Sequence, residues 1–178
     1  MSRIDIRLFN AVGFQILWFA CLMVHGVAAL TLTALFVIGH FVWPLHRPRF
    51  LRQLVLIAGL GATVDVLYAS AGMLRFPSVE QGISLNLLAV WIAFASTISL
   101  SFLWLRGRMG LAVLLGGIFG PFSYFGGSKL GAVSFPMGDG FTLFVYGATW
   151  AMLLPLLVWV GQRPSLQFMP LQEVINGR

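Results

Sequence analysis

Residues 53–74 read QLVLIAGLGATVDVLYASAGML, an apolar run broken by one charged side chain, Asp65. A hydrocarbon core takes about 20 helical residues to cross, so this stretch reads as a membrane-spanning helix and sets the class of the whole chain. Outward from it lie five more runs of similar character, giving expected spans at 8–24, 27–44, 53–74, 85–105, 109–128 and 141–161. The 178 residues are 59% hydrophobic and only 9% charged, with a mean hydropathy of +0.93. Soluble domains carry about 25% charged residues. The expectation is an all-α, polytopic membrane bundle of six transmembrane helices in a single domain over 1–178, with 162–178 a short polar tail. Connections this short make consecutive helices antiparallel neighbours. No internal repeat stands out.

The net charge of +6 does not point to nucleic acid, because the basic residues form no continuous face. They sit in the short loops, where they report orientation. With a cytoplasmic N-terminus, Arg3, Arg7, Arg47, Arg49, Arg52, Arg106, Arg108, Arg163 and Arg178 lie inside, against Arg75 and Lys129 outside. Both termini are therefore expected in the cytoplasm. The first 29 residues have the layout of a signal peptide, but Asn10, Gln15, Trp18 and Phe19 suit a retained helix better.

An ionisable group inside a span costs about 3 kcal/mol on insertion scales, so it needs a partner. Asp65 lies about 12 residues into its span, ~18 Å along a helix axis. Gly61, Asp65, Tyr68 and Gly72 follow at helical spacing and share one face. Asp65 is either a carboxylate hydrogen-bonded for packing or a functional acid, and the spacing alone leaves both open.

Residues 120–135, GPFSYFGGSKLGAVSF, concentrate glycines with Pro121, Ser123, Tyr124 and Lys129. Gly116 with Gly120, and Gly127 with Gly131, are small-xxx-small pairs and are expected to form a helix-packing seam. Pro121 frees the carbonyl of Gly117, which suggests a broken fifth helix. Lys129 is expected to snorkel to the outer interface, since an ion pair with Asp65 requires it to close part of ~12 Å in depth. Arg75, Glu80, Asn86, Asp139 and His25 gather toward the same outer half, as around a vestibule. Thr97, Ser99 and Ser101 form a separate polar line of the kind that bonds to its own helix.

Several chemistries are missing. Three histidines without HxxxH or HExxH spacing, and one cysteine, Cys21, argue against a metal or haem centre. No cofactor and no metal is expected. Ser128 beside Lys129 is not a dyad, because adjacent helical residues diverge. Membrane lipids, other membrane proteins or further copies of the chain are the expected partners.

Asn10, Gln15 and Trp18, the WxxFxST run from Trp91 to Thr97, the pair Trp104–Leu105 and above all GPFSYFGGSKLGAVSF resemble domain-of-unknown-function family 2878. The resemblance implies a small bacterial multi-pass inner-membrane protein without an established activity, encoded near genes of fatty-acid modification. It supplies no catalytic residue. Many members carry Asn-His where this chain has Ser99 and Leu100. The first functional expectation is an accessory or enzyme of membrane lipid modification. It has an outward polar pocket in which Asp65 and Lys129 are the candidate catalytic groups and Tyr68, Ser123, Tyr124 and Asn86 the candidate binding groups. A small proton- or cation-coupled permease and a non-catalytic scaffold are the alternatives.

Overall fold

The computed structural model describes residues 3–24, 26–42, 48–77 and 84–161. Among them are six α-helices: α1 Arg3–Met23, α2 Val27–Val42, α3 Pro48–Ser70, α4 Leu85–Ser101, α5 Met109–Lys129 and α6 Asp139–Gly161. Three are long and apolar enough to cross a membrane: Phe50–Ser70 in α3, then α5 and α6. The others hold shorter apolar stretches, Arg7–Met23, Val27–Gly39 and Leu85–Ile98. Large apolar side chains point outward, Phe144 at 77% exposure and Phe9 at 74%, which suits lipid rather than water. The chain is an all-α protein of the membrane class. The third helix ends at Ser70 rather than Leu74, which leaves Gly72 beyond it.

α4 is the hub and packs against α1, α2, α3 and α6. Its Ala89 and Ala93 are small enough for α1 and α2 to come close, and they are buried with Leu17, Cys21 and Ala29. Polar groups lock this contact. Gly26 N–H donates to Asn86 Oδ1 at 2.7 Å, and Asn86 Nδ2 donates to the carbonyls of Cys21 at 2.7 Å and Val24 at 2.6 Å. At the other end of α4 the Ser101 hydroxyl shares its proton between the Arg7 carbonyl at 2.8 Å and Asn10 Oδ1 at 2.6 Å.

α5 and α6 meet along glycines. A Cβ on Gly116 would lie 2.2 Å from the Trp150 carbonyl oxygen, and one on Gly120 would lie 2.2 Å from Trp150 Cγ. Only hydrogen fits at either position. The expected break at Pro121 does not occur, for α5 runs unbroken from Met109 to Lys129. Proline leaves the Gly117 carbonyl without its helical donor, and that oxygen faces Gly147 of α6, 3.3 Å from where a Cβ would stand. The freed acceptor is thus covered by protein. Gly127 is buried, and a side chain there would find only ordinary contact, Val133 Cγ1 at 3.6 Å. Gly131 corrects the seam: its φ is +75° and nothing lies within 4 Å of a Cβ, so it ends the helix instead of packing it.

α3 and α5 end in the same way. Gly72, φ +74°, and Gly131 take the left-handed conformation that glycine accepts without penalty. Behind them Met73 N–H bonds Tyr68 O and Ala132 N–H bonds Gly127 O, each at 2.9 Å, closing both helices with a Schellman turn. The segments that follow, GMLRFP at 72–77 and GAVSFP at 131–136, are joined by an antiparallel bridge between Arg75 and Ser134. Arg75 N–H donates to Ser134 O at 3.0 Å and Ser134 N–H to Arg75 O at 2.9 Å. The reading of a chain without a repeat fails at these two segments.

Gly120→Leu is expected to push α5 from α6 and to destabilise the folded protein by about 3 kcal/mol or more, whereas Gly59→Leu, where nothing lies within 4 Å, is expected to be neutral. Thermal unfolding of both variants in detergent checks this.

Candidate functional site

Asp65 lies on the inward face of α3, one turn and a half before its end, and is wholly buried at 0% exposure. Three donors from three other helices enclose its carboxylate. Trp91 of α4 donates its indole N–H to Oδ2 at 2.6 Å. Tyr124 of α5 places its hydroxyl 2.7 Å from both Oδ1 and Oδ2. Tyr146 of α6 donates to Oδ1 at 3.0 Å. Among the described residues no cation pairs with it. The charge is therefore held by oriented neutral dipoles, an arrangement that satisfies a buried acceptor without a second ion to desolvate.

Glycine makes this reach achievable. Gly61 precedes Asp65 by one helical turn, and a Cβ there would lie 2.2 Å from the Trp91 ring. The missing side chain lets the indole lie against α3 with its N–H turned to the carboxylate. Beneath it Trp150 of α6 stacks on Trp91, centroids 5.4 Å apart and planes within 7°, and Gly120 provides the corresponding space for Trp150.

The chain has three tyrosines, and all three gather here. Tyr146 packs between the others, its centroid 4.3 Å from that of Tyr124 and 4.7 Å from that of Tyr68. The Tyr68 hydroxyl pairs with that of Thr149. Thr149 donates its own proton to Val145 O at 3.0 Å, so Tyr68 is the donor to Thr149. The arrangement is a closed hydroxyl and indole cluster around one carboxylate.

Asp65, Tyr68 and Tyr124 thus come together, and the other anticipated groups do not. Ser123 donates to Gly120 O of its own helix at 2.7 Å. Lys129 is exposed, its ammonium 4.8 Å from the Phe125 ring centroid. Asn86 is a correction of a different kind: the turn between α1 and α2 consumes its amide. Thr97 bonds Ala93 O within α4. His25 and Glu80 lie outside the described residues.

A family model described as protein of unknown function, DUF2878, matches residues 7–156. The chain belongs to this family. No curated protein and no solved structure matches it. The region matched to DUF2878 begins in α1 and ends in α6, so every residue of the cluster lies inside it.

Sequence reasoning missed Trp91, Tyr146, Thr149 and Trp150 as members of the site. A signal for two of them was present. Gly61 stands one turn before Asp65 and Gly120 one turn before Tyr124, and a glycine a turn ahead of a polar group marks where another ring can approach.

Tyr124→Phe removes the one donor that touches both carboxylate oxygens and is expected to destabilise this DUF2878 protein by about 2–3 kcal/mol. Tyr146→Phe, at the longer bond, is expected to cost less, and Lys129→Ala nothing. Melting curves of the three variants give the order.

Proposed function

We propose that the chain is a small proton permease of the bacterial inner membrane, with six spans, both termini cytoplasmic and Asp65 as the proton-binding group. One observation carries this reading. A carboxylate at 0% exposure, contacted at 2.6–3.0 Å by neutral donors alone, leaves a proton as the cation that fits against it. Ionisable residues within membrane segments mark ion pathways and proton relays.

The residue types around Asp65 suit two protonation states. Indole N–H only donates, whereas a tyrosine hydroxyl donates or accepts. Trp91 therefore keeps Oδ2 an acceptor in both states. When Asp65 takes a proton, it resides on Oδ1, and the carboxyl O–H donates to the oxygen of Tyr124 or Tyr146, whose own hydrogen turns away. When the proton leaves, the two hydroxyls turn back. The carboxylate stays within its shell throughout.

The lipid-modification reading places Ser123 and Lys129 beside Asp65, and their observed partners are elsewhere. The distribution of basic residues supports the orientation: Arg75 lies within one of the bridged loops and Lys129 closes α5 beside them, with all nine other basic residues assigned to the opposite side.

In vesicles carrying a pH-sensitive dye, the wild-type protein is expected to conduct protons down an imposed gradient, and Asp65→Asn to abolish that flux while keeping its elution profile, with a lowered melting temperature because the Asn amide sets an NH2 donor against the donors that enclose the carboxylate. Flux that survives in Asp65→Asn refutes the reading. If a deletion strain then shows an altered membrane fatty-acid composition, the lipid role replaces it.

A further inference from the structure

Arg75 and Ser134, joined by the antiparallel bridge, stand 59 positions apart. So do Trp91 and Trp150, which stack, and Asp65 and Tyr124, which share a hydrogen bond. The same interval relates Gly61 to Gly120, each of which seats the tryptophan of its own hairpin, and Gly72 to Gly131, each of which ends its helix. It also relates Phe76–Pro77 to Phe135–Pro136, and both phenylalanines are buried. A residue meets its own counterpart at three depths only where two like units face each other across a two-fold axis.

We infer that α3–α4 and α5–α6 are two copies of one helical hairpin related by a pseudo-two-fold axis along the membrane normal, and that this axis carries a gate on each side of Asp65. The inference rests on Asp65 as the group that exchanges with the two sides. Parallel repeats of this kind are one of the architectures in which a membrane site lies at the repeat interface.

The gate beyond the ends of α3 and α5 is the pair of bridged loops. Their Leu74, Phe76, Val133 and Phe135 are buried in the same core cluster as Tyr124 and Tyr146, and so form an apolar plug over the carboxylate. Two backbone hydrogen bonds join the halves at Arg75 and Ser134, which are both exposed. Gly72 and Gly131, at matching roots of the two loops, are the hinges, because glycine crosses between backbone regions at little cost. The gate on the other side is the Trp91–Trp150 stack, level with Gly61 and Gly120 and so one turn deeper than Asp65. Each gate is built from equivalent residues of the two copies, so a relative movement of the hairpins opens one without requiring the other to open.

The repeat escapes notice in the sequence because identity survives at few and scattered positions, among them the two glycine pairs, the Phe-Pro pairs and the tryptophans. The position that matters most has diverged, to aspartate in one copy and tyrosine in the other.

The test uses the full chain in sealed, oriented vesicles with Cys21→Ala, Arg75→Cys and Ser134→Cys. Residues facing each other in a hydrogen-bonded antiparallel pair have Cα atoms about 5.5 Å apart, within disulfide range, and both side chains are exposed, so the substitutions leave the core intact. Oxidation is expected to form an intramolecular disulfide. Labelling of Asp65 by a water-soluble carbodiimide with glycine ethyl ester, added on the loop side and read by peptide mass spectrometry, is expected to fall several-fold on oxidation and to return on reduction. In the oxidised protein Trp150→Ala is expected to raise labelling from the opposite side several-fold, with Trp150→Phe giving a smaller rise. Failure of the disulfide to form in folded protein overturns the pairing of the hairpins. Labelling that is absent from reduced protein, or indifferent to oxidation or to Trp150, overturns the gates. Proton flux is a separate measurement: gated labelling without flux discards the permease and keeps the gates, and flux with ungated labelling does the reverse.

Discussion

An acid buried among lipid-facing helices must be satisfied from within the protein, and the arrangement of α3 to α6 follows from that requirement. Inside a bilayer apolar burial does not drive helices together, since lipid tails are as apolar as leucine. Close packing and hydrogen bonds decide instead, and a bond to a charged group contributes roughly 1.5–3 kcal/mol. Asp65 collects such bonds from α4, α5 and α6 at once. The glycines at 61, 116 and 120 are the steric counterpart, since each admits a ring or backbone that the carboxylate cluster needs nearby.

The two hairpins are complementary because they are no longer identical. An aspartate at both equivalent positions would set two carboxylates against each other on the axis, and a tyrosine at both would leave two donors without a strong acceptor. One of each gives a bond across the joint at 2.7 Å. The tryptophans kept their identity because stacking is a contact that a two-fold axis tolerates between like groups. What has diverged and what has not are both accounted for by the chemistry of a residue facing its own counterpart.

The class of the chain was legible because hydrophobic run length maps directly onto bilayer thickness, and the face of Gly61, Asp65 and Tyr68 was legible because helical spacing is regular. The seam at Gly116 and Gly120 followed from the same regularity. Helix ends were less so. A run of apolar letters continues through Leu74, but a Schellman turn stops α3 four residues earlier, and such turns depend on one backbone angle at Gly72. Pro121 read as a break because its neighbour across the seam, Gly147, lies in another helix that spacing cannot locate. The fates of Asn86 and Lys129 depended on which helix arrives beside them, and this is tertiary information. Tyr146 and Thr149 stayed invisible for the same reason.

The turn between α1 and α2 has a consequence for how the protein is made. The amide of Asn86 supplies the partners for the carbonyls of Cys21 and Val24 and for the N–H of Gly26, which lies sixty residues earlier. During synthesis these groups lack their protein partner, and water must serve them, until the fourth helix emerges. The geometry of the turn is thus set by a residue of the fourth helix, which is synthesised after both of the helices the turn joins.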